Sequence, residues 1–225
     1  MRRLFRITSG WLAILVLLAT ISSANAHPHV WVDLRVKPLM NAQGELLGLQ
    51  QAWRFDPFYS LVLIEELERG GPKAELEERY DQLASEIVNN LNGVHFFTQG
   101  QVNQAIKSNQ TTKANWGKVT DYTLLRIGQR IEIKFFLPLN QPLLLTAAPF
   151  NYQIYDPTYY IEMLHALEAG LDSTALSQGC AAQLTAPKPS ADLIEKALSL
   201  DKTETAEDPQ LGLYFAERVT LECLN

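Results

Sequence analysis

The chain has 225 residues, 47% of them hydrophobic and 20% charged, and carries a formal net charge of −6 at pH 7. That length and apolar content can bury a core unaided, as one domain or two small ones. The acidic balance excludes a nucleic-acid partner, because phosphate binding needs a basic surface, and by itself supports only solubility and a weak attraction for cations.

The N-terminus reads as an export signal. Arg2, Arg3 and Arg6 form a basic patch, residues 11–21 an apolar core, and Ala24-Asn25-Ala26 fits the small-x-small cleavage pattern. Residues 1–26 are therefore expected to be removed, leaving His27 as the first residue of a soluble periplasmic protein. The apolar core is about half of the ~20 residues a membrane-spanning helix needs, and an uncleaved anchor is the alternative. Cleavage removes three arginines and no acid, which takes the formal charge from −6 to −9.

Residues 30–36 alternate like a strand, with Val30, Val32, Leu34 and Val36 on one side and Trp31, Asp33 and Arg35, preceded by His29, on the other. Asn41 to Gly44 supply turn chemistry, and residues 46–55 read as the returning strand. A helix is predicted from Gly71-Pro72 to Gly93, its apolar stripe formed by Leu76, Tyr80, Leu83, Ile87 and Leu91. Further strands are predicted at 94–98, where His95 alternates with apolar neighbours, and at 122–127, 130–137, 143–147 and 212–223. Ser190 caps a short helix through Leu200. Strands outnumber helices without regular alternation, so the predicted class is α+β rather than a doubly wound sheet.

A shift of 100 residues aligns Pro38-Leu39 with Pro138-Leu139, Asp56-Pro57-x-Tyr59 with Asp156-Pro157-x-Tyr159, and Leu67-Glu68-x-Gly70 with Leu167-Glu168-x-Gly170. This predicts two strand-rich units, 27–128 and 129–225, each a strand, a return strand, Asp-Pro-x-Tyr and a helix, related by a pseudo-two-fold. Chance matching in a leucine-rich chain is the alternative. On this reading His165 lies in the second helix, on one face with Glu168.

Cys180 and Cys223 are the only cysteines, and in an exported protein a single disulfide is the default. On the chain-entropy model a loop of that span contributes about 4 kcal/mol. A two-thiolate metal site is the alternative, but it lacks the close Cys-x-x-Cys spacing.

Two of the four histidines flank Pro28. A His27 freed by cleavage offers an α-amine, which titrates near ~8, and an imidazole near ~6.5, so both can yield protons to a divalent ion at neutral pH. His29 can add a third nitrogen. The N-terminal copper and nickel clip that uses deprotonated amides is blocked, because Pro28 has no N–H to lose. What remains is a nitrogen-rich chelate suited to nickel, cobalt, copper or zinc. Asp56 and Asp156 read as helix caps, or as oxygen ligands if pseudo-symmetry brings them to the first strand and leaves an oxygen free. Asp33 is about 13 Å along the strand from His29, too far to share an ion.

No Gly-x-Ser-x-Gly, Gly-rich phosphate loop or His-Glu-x-x-His is present, and no enzyme is expected. A copper oxidase built on a histidine brace is the one enzymatic alternative.

With HPHVWVD, WRFDPFYS, YDPTYYIEM and LGLYFAERVTLEC in view, the chain resembles a family of uncharacterised bacterial periplasmic proteins carrying a domain of unknown function. That family is labelled as the periplasmic component of an uncharacterised ABC-type transport system, and its genes often neighbour nickel/cobalt exporter-type permeases. The resemblance covers the mature chain and touches His27, His29, Asp56 and Asp156. It implies a metal-handling accessory, although the chain is too short and strand-rich for a conventional two-lobed solute receptor. The expected function is binding of a divalent transition metal through His27 and His29, with Asp56 and Asp156 as further ligands, on behalf of a membrane metal permease. A metal-independent adaptor docking on that permease is the competing class.

Overall fold

The computed structural model describes residues 28–103, 111–200 and 208–224. The predicted export segment and His27 lie outside the described residues. In chain order the elements are strands β1 (Val30–Met40) and β2 (Glu45–Phe55), helices α1 (Pro57–Arg69) and α2 (Leu76–Asn92), strands β3 (Thr98–Asn103), β4 (Thr111–Lys113), β5 (Tyr122–Ile127), β6 (Arg130–Leu144), β7 (Phe150–Ile154), β8 (Ile161–His165) and β9 (Cys180–Thr185), helix α3 (Ala191–Ser199) and strand β10 (Arg218–Cys223). The class is α+β and strand-rich, as its mixed periods predict.

Two five-stranded sheets carry the fold, ordered β5-β6-β2-β1-β8 and β4-β3-β7-β10-β9. Strands from both sides of residue 128 enter each sheet. The first hairpin forms where predicted: Asn41 Oδ1 accepts from the Gln43 and Glu45 N–H groups, and Gly44 takes the left-handed conformation the turn needs. The alternation on β1 then puts Val30, Val32, Leu34 and Val36 into the core. Facing strands contribute Trp53, Ile133, Phe135, Phe150 and Val219, and α1 and α2 add Ile64, Ala84 and Val88. The two sheets thus share one core, with a buried polar chain across it: Trp53 Nε1 donates to Gln51 Oε1, and Gln51 Nε2 to Thr98 Oγ1.

The Pro-Leu dipeptides that the 100-residue register aligns meet at one residue. Leu39 and Pro138 pair with Gly48 of β2 from opposite sides, beside irregularities in both ladders. A Cβ on Gly48 would lie 2.4 Å from the Leu137 carbonyl oxygen, so only glycine admits this approach.

Several predicted elements differ. Residues 94–97 do not form a strand, which begins only at Thr98: His95, Phe96 and Phe97 have φ of 49°, 51° and 51°. This left-handed turn buries Phe96 completely and stacks Phe97 over Trp53. The strand predicted at 143–147 is the end of the longer β6 and a turn. That predicted at 212–223 is a 3₁₀ turn (Leu211–Phe215) followed by β10. Ser190 caps α3 as predicted, accepting from the Leu193 N–H.

The largest difference follows the second Asp-Pro. Asp56-Pro57 opens a helix, whereas Asp156-Pro157 opens a turn and then β8. His165 is therefore the last residue of a strand and not on a helix face with Glu168. Tyr159 has φ 61°, which no α-helix tolerates. Its ring stacks on Phe215 at 4.1 Å, inside a small second core with Ala197, Leu200 and Leu211. Gly212 closes the turn by donating its N–H to the Pro157 carbonyl.

Candidate functional site

Strand β1 begins between the two Asp-Pro motifs. In the first, Pro57 occupies the opening turn of α1, and Asp56 Oδ1 caps the helix by accepting from the Tyr59 N–H at 2.9 Å. Its other oxygen accepts from the Trp31 N–H at 3.2 Å, and the Asp56 N–H donates to the Trp31 carbonyl at 2.8 Å. One carboxylate therefore joins a helix start to a strand start.

The second motif reaches β1 through β8. Asp156 Oδ1 accepts from the Thr158 N–H at 2.9 Å, Oδ2 from the Ile161 N–H at 3.0 Å, and the Thr158 hydroxyl contacts both oxygens. This fixes the start of β8, whose Ile161 is in register with Val30 of parallel β1. Just before it, the Tyr160 carbonyl accepts from the His29 N–H at 2.9 Å, and the rings of His29 and Tyr160 lie 4.9 Å apart. The cap read from sequence at Asp156 is thus a turn staple, because no helix follows.

Both oxygens of both carboxylates accept protein hydrogen bonds. Among the described residues no group of three or more His, Cys, Asp or Glu side chains converges; His27, the first nitrogen donor of the expected chelate, lies outside them. Asp156 is buried, so Asp156→Ala leaves the partly buried Thr158 and Ile161 N–H groups without their acceptor. We expect a loss of about 1–3 kcal/mol, measured by urea unfolding, with Asp156→Asn milder because one acceptor oxygen remains.

Solvent meets an aromatic collar at this end of the sheet. Trp31 is 47%, Tyr160 43% and Phe58 78% exposed. Tyr59, packed 5.2 Å from Phe55, has its pKa raised by burial and by the neighbouring Tyr160 and Asp56, so its hydroxyl stays protonated.

Sequence reasoning set His165 on a helix face, whereas among the described residues it is the most buried imidazole. The His165 side chain is 2% exposed, with Nδ1 2.8 Å from Glu217 Oε2, and the same oxygen accepts from the His165 backbone N–H at 2.6 Å. On the far side the Tyr152 hydroxyl lies 3.5 Å from Nε2. Burial, then the Glu217 charge, raises the Tyr152 pKa well above its ordinary value. The chain Glu217-His165-Tyr152 joins β8 of one sheet to β7 and the start of β10 in the other. Because imidazole and phenol are both buried, it acts as a strut. No local pattern could reveal it, since Glu217 is 52 residues from His165. His95, by contrast, is exposed on its turn.

Cys180 and Cys223 form the disulfide expected of them, at directly opposed positions of β9 and β10. No helix of the described residues is long and apolar enough to cross a membrane.

Comparison with known proteins gives a family and no activity. The family described as "Protein of unknown function (DUF1007)" matches residues 12–223. A Haemophilus influenzae protein described as uncharacterized is 30% identical over 200 residues, which cover 88% of this chain and 91% of that protein. No solved structure matches.

Proposed function

The chain belongs to the DUF1007 family of proteins of unknown function, and from that premise we propose that it is a periplasmic protein binding one divalent transition metal at its mature N-terminus, as accessory or carrier for a membrane metal permease. The observation that carries this reading is the double clamp on the start of β1. Tyr160 holds the His29 backbone, and Asp56 holds Trp31 two residues on. A ligand two residues from a free chain end would ordinarily lose much conformational entropy on binding, and preorganisation lowers that cost.

In this proposal the His27 amine and imidazole close a chelate, and His29 supplies the third nitrogen. Each Asp56 oxygen accepts one N–H and keeps a lone pair, so Asp56 is the carboxylate suited to complete the shell. Asp156, whose oxygens each meet two donor contacts, holds the strand. The disulfide fits an oxidising compartment such as the periplasm. The exposed Trp31 and Phe58 beside the site offer the permease an apolar contact.

Native mass spectrometry of protein purified from periplasm tests the reading by reporting the first residue and any bound ion together. The expected result is a chain beginning at His27 and carrying one ion of nickel, cobalt, copper or zinc. Calorimetric affinity should fall about 100-fold or more, roughly 2.7 kcal/mol, in His27→Ala plus His29→Ala. Affinity should also fall as pH drops through the amine and imidazole pKa values of ~8 and ~6.5, because protons compete for the same nitrogens. A mature chain starting elsewhere, or uptake weaker than about 1 mM, overturns it.

A further inference from the structure

The outer face of the first sheet carries a feature that the N-terminal reading does not use. On β1, β2 and β6 the residues Arg35, Ala52 and Lys134 are consecutive cross-strand partners. Strand spacing puts the two cationic Cα atoms about 10 Å apart, with only the Ala52 methyl between them. The result is a slot with a flat floor and two cationic walls. It opens into a cleft of about 360 Å³ also lined by Lys37, Gln50 and Asp172, at the small end of the ~300–1,000 Å³ typical of ligand sites.

The charges here do not cancel. Glu132, 2% exposed, lies two residues from Lys134 on β6, opposite Arg54, and its Oε2 is taken twice by Arg54, through Nε and Nη2, each at 2.7 Å. Arg35 Nη1 is left 3.6 Å from that oxygen, beyond hydrogen-bonding distance, and is shielded from solvent with no hydrogen-bond acceptor among the described residues. Lys134 Nζ reaches Glu132 Oε1 at 3.4 Å and has donors to spare. Lys37 is matched by Asp172 at 3.2 Å; that carboxyl is held below its ordinary pKa first by hydrogen bonds from Thr174 and then by Lys37. Four cations thus surround two carboxylates, and the unmet capacity belongs to Arg35 and Lys134.

The geometry points to an anion-binding slot in which Arg35 and Lys134 grip a carboxylate or phosphate group of a small ligand above Ala52. An enclosed guanidinium N–H without an acceptor is costly unless an anion completes it, and a guanidinium opposite an ammonium suits a two-oxygen group. The slot is separate from the proposed metal site, because Arg35 is about 20 Å along the extended strand from His29.

Calorimetry of the mature chain at low ionic strength, with citrate and inorganic phosphate as separate probes, tests this. The expected result is a Kd below about 1 mM for at least one probe, weakened by added salt. Binding of citrate alone assigns a carboxylate, of phosphate alone a phosphoryl group, and of both the oxyanion they share. Lys134→Ala, which alters a half-exposed side chain, should weaken binding about 10-fold or more. Ala52→Leu should do the same by filling the slot while keeping every charge. Binding by neither probe, or wild-type binding in either variant, overturns the proposal; retention in Ala52→Leu would mean diffuse surface attraction.

Discussion

Phe96→Ala is expected to cost about 3–5 kcal/mol of folding stability, read as a fall in the urea midpoint at unchanged slope. Phe96 is fully buried, its ring centroid 4.2 Å from that of Phe135 and 6.0 Å from that of Trp53. Its position is a strained one. His95, Phe96 and Phe97 are successive left-handed residues, each costing about 1–2 kcal/mol for an L-amino acid. Such a run persists only where the surroundings over-determine it, and here the burial of Phe96 does so. Removing the ring leaves a cavity and withdraws the compensation for the strain, so the effect should fall in the upper part of the range. A loss below about 1.5 kcal/mol would show that the turn is held by something other than this ring.

The same turn shows where sequence reading stops. Val94 to Thr98 has a strand's apolar pattern, and the outcome is set by Trp53 and Phe135 on other strands. The β1-β2 hairpin and the α2 stripe were legible because each pattern is repeated many times within one element. The Ser190 cap and the single disulfide were legible because local chemistry leaves few alternatives. Asp156 was not legible as a turn staple. Its Asp-Pro-x-Tyr matches that of Asp56, and what separates them is distant: Tyr159 seats on Phe215, and a Cβ on Gly212 would fall 1.8 Å from the Asp156 carbonyl oxygen. Of the candidate site, residue types could nominate His29, Asp56 and Asp156 but not their arrangement. Only the ladders show that Asp56 grips Trp31 while Asp156 acts through β8. The Arg35-Ala52-Lys134 row was hidden for the same reason, since its three residues come from three strands.

Loss of the disulfide is expected to be comparably severe. Cys180→Ala plus Cys223→Ala, made together so that no free thiol remains, should remove about 4 kcal/mol by the loop-entropy relation for a separation of 43 residues. In a chain of this size that lowers Tm by about 8–16 °C, measured against the oxidised wild type by calorimetry. The bridge joins β9 to β10, and among the described residues β9 has β10 as its sole partner in the sheet. The loop it closes contains α3 and Leu211, which form the second core around Tyr159. Tyr159 belongs to the turn that Asp156 staples, and that turn leads into β8 and so to the strand start bearing His29. Opening the bridge should therefore loosen the N-terminal end of β1 before the shared core yields. Hydrogen exchange separates the two: after reduction, the His29 and Ile161 amides should lose protection while those of Ile133 and Phe135 keep theirs. Equal loss at all four would mean that the second core does not transmit strain to the site and that the bridge acts only on the unfolded chain.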